Sequence, residues 1–125
     1  MKILLAEDDL SICTVVRICL ERVGGHQVVV VHDGKAAVDK AASSPFDLIL
    51  LDGMMPILDG VSACRQILAR GIRSPIIFMT AKSQESDISL GLSSGAIGYI
   101  QKPFDPQTLP SLINTILAQK GRLVA

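Results

Sequence analysis

Five short apolar runs, Ile3 to Ala6, Val28 to Val31, Leu48 to Leu51, Ile76 to Met79 and Ile97 to Ile100, recur along the chain with a helix-like segment after each. Runs of four suit strands buried on both faces better than they suit helices. Strict alternation of strand and helix, with no internal repeat and no glycine-rich linker, predicts an α/β fold in which helices cover both faces of a parallel sheet. A closed barrel needs more units, so an open, doubly wound (βα)5 sheet is expected.

The intervening segments carry helix signals. Ile12, Val15, Val16, Cys19 and Val23 recur at helical spacing, and Gly24-Gly25 supplies a stop. Asp33 caps a helix bearing Ala37, Val38 and Ala41, which Pro45 closes. Asp59 caps another with Val61, Cys64 and Leu68 on one face, ended by Gly71. The segment from Ser83 to Gly95 is the weakest helix and is expected to be the most mobile, because its serines and Gly91 lower its propensity and only Ile88 and Leu92 form a stripe. In the last helix Leu109, Leu112, Ile113, Ile116 and Leu117 share a face, with Gly121 as its stop. Asp105-Pro106 is a good cap and first position, yet it would put Pro110 too deep, so the regular helix starts nearer Thr108 or its first turn is distorted.

Composition narrows the function. The 125 residues make one domain with room for a core, 49% hydrophobic and 19% charged, so globular rather than disordered. Twelve basic and twelve acidic residues cancel, and one Tyr, three Phe and no Trp leave neither the basic footprint nor the stacking platform of a nucleic-acid binder. No apolar run approaches a bilayer span, and Glu7 comes too early for a signal peptide, which suggests a cytoplasmic protein with no membrane insertion. Cys13, Cys19 and Cys64 form no CxxC pair and read as reduced residues on apolar helix faces. His26 and His32 are too isolated for a ligand set and read as surface residues.

In an open parallel sheet, ligands bind at the carboxyl ends of the strands. Strand three ends in Asp52, which could either cap the following turn or act as nucleophile or metal ligand. The other strand ends decide. Strand one delivers Glu7 and Asp8, strand four Thr80 and strand five Lys102, all at the same edge of a parallel sheet. Each alone has a structural explanation, but three clustered carboxylates repel one another unless a cation sits among them. Oxygen ligands in small number suit Mg²⁺. A carboxylate beside Mg²⁺, with a hydroxyl and an ammonium near, can attack a phosphoryl group and form an aspartyl phosphate.

Glu7-Asp8, Leu51-Asp52 with Pro56 four residues on, Met79-Thr80-Ala81 and Lys102-Pro103-Phe104 together resemble the motif set of response-regulator receiver domains of two-component signalling. The likeness runs from Lys2 to about Gln119. It implies a flavodoxin-like sheet of order 2-1-3-4-5, with Asp52 accepting phosphate from the phosphohistidine of a sensor histidine kinase or a histidine phosphotransfer protein. It also implies Mg²⁺ held by Asp8, Asp52 and the backbone carbonyl of Met54, with Glu7 acting directly or through water, and a cis Lys102-Pro103 bond. Tyr99 matches the family's switch aromatic. Movement of Thr80 toward the phosphoryl group would make space for Tyr99 and reshape the surface of the serine-rich helix, strand five and the last helix, which would meet a downstream protein target.

The chain departs from the family pattern in places. Ile97-Gly98 replace the two acids common before the switch aromatic, which makes that surface less charged. Met54 and Lys82, at positions that tune phosphoryl lifetime in the family, supply no carboxylate or amide for a hydrolytic water, which suggests slow dephosphorylation. Only four residues follow Gly121, so residues 1-125 read as a single receiver domain with no output domain and no direct nucleic-acid binding in this chain. It would catalyse only its own phosphorylation and dephosphorylation. Two alternatives compete. An Asp-nucleophile phosphohydrolase usually has a second acid where this chain has Met54, and a degenerate receiver serving as a phosphorylation-independent binding scaffold would not need the full set of Glu7, Asp8, Asp52, Thr80 and Lys102. No phosphate-cradling glycine loop follows strand one, which disfavours a nucleotide cofactor.

Overall fold

The computed structural model describes residues 1–81 and 92–124, the last five as backbone alone. The strands are β1 (Lys2–Ala6), β2 (Gln27–Val31), β3 (Leu48–Asp52), β4 (Ile76–Ala81) and β5 (Gly98–Lys102), and the helices are α1 (Leu10–Arg22), α2 (Gly34–Ser43), α3 (Gly60–Ala69) and α4 (Leu109–Val124). All strand pairs are parallel, in the order β2-β1-β3-β4-β5. This is the flavodoxin-like arrangement that the family resemblance implies.

Side chains alternate between the two faces of the sheet, so an unbroken apolar strand feeds two cores at once. Leu4, Ile49, Leu51 and Phe78 pack with Ala37 and Val38 of α2 and Cys64 and Ile67 of α3. Ile3, Leu5, Leu48, Leu50 and Met79 pack on the other side with Val16 and Leu20 of α1 and Leu109 and Ile113 of α4. Full burial of one such side chain contributes about 1.5–3 kcal/mol, so these paired cores dominate the stability.

Several boundaries differ from the sequence expectation. β5 covers Gly98–Lys102 instead of Ile97 to Ile100, because it pairs with β4 from Ile77↔Gly98 to Ala81↔Lys102. Backbone pairing sets the strand's end there, not apolarity, and it makes Lys102 a strand residue. The buried face of α1 is Cys13, Val16 and Leu20, whereas Val15 and Val23 are exposed. Apolar residues lie around most of that helix, so their spacing alone does not select the inner face. Leu112 is likewise exposed on α4. Gly121 does not stop α4, which runs on to Val124, since glycine lowers helix propensity by about 1 kcal/mol without forbidding helix.

The start of α4 combines both expected solutions. A 3-10 turn at Pro106–Thr108, capped by the Asp105 carboxylate, precedes the α-helix, so Pro110 falls in the first turn where its missing amide costs little. Asp33 and Asp59 cap α2 and α3 as expected, accepting from the Ala36 and Ser62 amides. The expected helix over Ser83 to Gly95, its mobility and Ile88, together with Lys82, lie outside the described residues up to position 91. Cys13 and Cys64 are buried, and all three cysteines are free thiols. Among the described residues, no helix is long and apolar enough to cross a membrane.

Candidate functional site

The carboxyl edge of the sheet gathers the charged residues. Glu7 follows β1 directly, its amide donating to the Val31 carbonyl (3.0 Å) and so continuing the β1–β2 ladder by one residue. Its side chain is fully buried. Asp9, not Glu7 or Asp8, caps α1 by accepting from the Ser11 and Ile12 amides. The structural reading of Glu7 and Asp8 as acids that cap the first helix therefore falls away. Asp52 ends β3 and is 5% exposed, and carboxylate oxygens of Glu7, Asp8 and Asp52 all lie within 4.8 Å of one another.

Lys102 brings one cation to this cluster. Its Nζ donates to both carboxylate oxygens of Glu7 (2.9 and 3.1 Å) and lies 3.3 Å from Asp52 Oδ1. Burial acts to lower the Lys102 pKa, but the Glu7 hydrogen bond and the Asp52 charge outweigh it and hold it above the ordinary value. One ammonium does not balance three carboxylates. Burial, and then the hydrogen bond with Asp52, push Glu7 up to about 8 in spite of Lys102. These protein groups by themselves thus hold a proton near neutrality.

A pH dependence follows from that proton. A carboxyl whose folded pKa is raised keeps a proton that the unfolded chain has released, so stability falls as pH rises from about 4.5 toward about 8. The urea midpoint of the metal-free protein is expected to drop between pH 5 and pH 8, and millimolar Mg²⁺ should oppose the drop. A midpoint that stays level or climbs over that range would show that Lys102 alone neutralises the cluster.

The remaining expected residues take different positions. The Met54 amide donates to Asp52 Oδ1 (3.2 Å), so the turn-capping reading of Asp52 also holds. Thr80 is buried one residue past the Asp52↔Met79 pair of the β3–β4 register, its hydroxyl donating to the Ala81 carbonyl (3.2 Å). Tyr99 lies three residues before Lys102 on β5, beside Phe78 in the register, and is 46% exposed. The Lys102-Pro103 bond is cis, as expected.

Four supporting residues escaped the sequence reading. His32 Nδ1 and the Cys13 thiol both bond the Glu7 carbonyl, at 3.1 and 3.2 Å. A carbonyl only accepts, so the bond requires the His32 proton on Nδ1; His32 is exposed and Cys13 buried, as expected, and both in addition hold the Glu7 backbone. Gly34 and Gly60 are the others. A Cβ on Gly34 would lie 1.9 Å from the Leu58 carbonyl oxygen, and one on Gly60 would lie 2.3 Å from that of Asp52. Both glycines follow a capping Asp, and that repeated Asp-Gly pair was the available signal.

A doubly wound parallel sheet of order 2-1-3-4-5, with a trio of acids only partly offset by one lysine at its carboxyl edge, defines the flavodoxin-like class of α/β domains. The response regulator receiver domain model matches residues 3–114, and the chain belongs to that family. Receiver domains are signalling switches rather than enzymes in the usual sense.

Among relatives, the alkaline phosphatase synthesis transcriptional regulatory protein PhoP of Bacillus subtilis is 41% identical over 116 residues, which are 93% of this chain and 48% of PhoP. The chain spans about half the length of the curated relatives it matches. The receiver domain of the Pseudomonas aeruginosa sensor histidine kinase PA1611 superposes with a TM-score of 0.82 at 38% identity, covering 94% of this chain and 97% of that one. That structure has a magnesium ion coordinated in its active site cleft. The receiver domain of Francisella response regulator 1452 superposes with a TM-score of 0.83 at 31% identity, over 95% and 98% of the two chains.

Proposed function

We propose that residues 1–125 form a receiver domain in which Asp52 is the phosphoacceptor. The observation that carries this reading is the cluster itself: a nearly buried carboxylate at a strand end, with Glu7 and Asp8 beside it and the Lys102 ammonium in contact. A carboxylate oxygen of Asp52 attacks phosphorus, and the bond from phosphorus to the donor's imidazole nitrogen breaks, its electron pair staying on nitrogen. The donor is a histidine kinase or a histidine phosphotransfer protein, and the setting is cytoplasmic.

The donor set fits Mg²⁺, since the acids offer only oxygens and carry more negative charge than Lys102 balances. Asp8, Asp52 and the Met54 carbonyl would hold the ion, with Glu7 direct or through water. When bound, it offsets the charge of the phosphoryl oxygens. Lys102 can turn toward the new phosphoryl group, and Thr80 can donate its hydroxyl there.

These contacts are large enough to drive a switch. Converting a mostly inactive two-state domain into a mostly active one takes about 5.5 kcal/mol. A phosphoryl group adds about 1.5–2 negative charges, and charge-assisted hydrogen bonds contribute roughly 1.5–3 kcal/mol each. Movement of Thr80, followed by inward rotation of the exposed Tyr99, would alter the face formed by β5 and α4 and so control a downstream protein. Met54 stands where a phosphohydrolase would carry its second acid, which weighs against that alternative.

Intact mass after incubation with acetyl phosphate and Mg²⁺ tests the assignment. One phosphoryl increment is expected on the natural chain, dependent on Mg²⁺ and absent from Asp52→Ala. No increment on the natural chain would favour the scaffold reading, and an increment that survives the substitution would place the phosphoacceptor elsewhere.

A further inference from the structure

Among the described non-glycine residues, Ile57 alone adopts a positive φ, at 70°. The Leu58 amide donates to the Pro56 carbonyl across it (2.7 Å), which makes a γ-turn of the rare positive-φ form. A β-branched side chain is among the poorest choices for that backbone, and glycine would adopt it freely. The path of the turn has a packing reason, because the Leu58 carbonyl sits tightly against Gly34 of α2. The isoleucine has none. Its side chain is 77% exposed, so burial returns little for the strain.

Strain held at a position that packing does not require points to a use for the side chain outside the domain. The loop that carries Ile57 leads from Asp52 to α3, and on it Met54 is also exposed, at 64%. Asp52 itself is almost covered. A protein that delivers phosphate to it must therefore press its own surface close to this loop.

We propose that Ile57 is a specificity-determining docking residue for the phosphodonor protein, with Met54 extending the contact, and that it meets an apolar patch beside the donor's phosphohistidine. The inference rests on the reading of Asp52 as phosphoacceptor. A small donor such as acetyl phosphate has no patch to offer, so the two kinds of donor should respond differently to loss of the side chain.

The test uses Ile57→Gly and Ile57→Asn, both of which suit a positive φ while removing apolar surface. Two donors are compared: acetyl phosphate, and whichever autophosphorylated histidine kinase of the source organism labels the natural chain fastest. Both variants are expected to melt a few degrees higher, to be labelled by acetyl phosphate at the natural rate, and to accept phosphate from the kinase roughly tenfold more slowly. Unchanged transfer from the kinase would overturn the proposal, since the side chain would then have only a structural effect. Equal slowing with both donors would also overturn it, by showing that the turn shapes the phosphoryl pocket. So would a natural chain labelled by acetyl phosphate but by no kinase. A natural chain labelled by neither donor would instead remove the phosphoacceptor reading itself.

Discussion

Lys102→Met is expected to destabilise the metal-free domain by about 3 kcal/mol, visible as a melting temperature lower by roughly 10–15 °C. Among the described residues, Lys102 is the cation in contact with Glu7 and Asp52, and its side chain is only 18% exposed. Methionine keeps most of its length and apolar stem, so the loss isolates the charge. Removing one partner of a buried pair costs about 3–5 kcal/mol because the other charge is left unpaired in a poor solvent. The lower end applies because the cluster can respond by holding its proton more tightly. The Lys102 hydrogen bond and charge lower the Glu7 pKa, so without them it rises further and the loss of stability with increasing pH steepens. Mg²⁺ should recover a larger fraction of stability in the variant than in the natural chain. A variant as stable as the natural chain at pH 8 without Mg²⁺ would mean that Lys102 does not neutralise the cluster.

The alternation of strands and helices was legible because it rests on the simplest physical pattern, whereas the strand order came from the family resemblance. Residues such as Leu48 to Leu51 are buried on both faces, so every position in the run is apolar and the strand stands out. The site was legible for a related reason: polar residues that break such runs, Asp52 and Thr80, have to be accommodated at the strand ends. Lys102 was placed at the right edge, but as a residue after the strand, since pairing with β4 is a tertiary fact. The inner face of α1 was not legible. Val15 and Val16 are equally apolar in sequence, and only the position of the sheet decides that Val16 is buried and Val15 exposed. The cap preference of Asp33 and Asp59 was visible, but the Asp-Gly repeat does not by itself say why glycine follows each, because that need arises from backbone that approaches from elsewhere in the chain.

That need leads to the second large effect, for Gly60→Ala. The new Cβ would lie 2.3 Å from the Asp52 carbonyl oxygen and 3.0 Å from Gly53 Cα, both of them backbone atoms with no side chain to swing aside. The Gly60 amide also donates to the Gly53 carbonyl (3.1 Å), tying the start of α3 to the turn after Asp52. Alanine is preferred over glycine within a helix by about 1 kcal/mol, so propensity alone predicts a small gain. Crowding of backbone against backbone outweighs it, with a cost at the upper end of the roughly 1–3 kcal/mol typical of overpacking. Whichever element yields, Asp52 moves relative to Glu7 and Lys102, and labelling by acetyl phosphate should fall at least tenfold even where the variant remains folded. Gly25→Ala separates the causes: its φ of 68° strains alanine, yet a Cβ there meets nothing within 4 Å and it lies at the far end of the sheet from Asp52. It should lose about 1 kcal/mol of stability and keep its labelling rate. If Gly60→Ala is labelled at the natural rate, the carboxylate cluster does not depend on that close approach, and the fit of α3 against β3 is looser than the distances require.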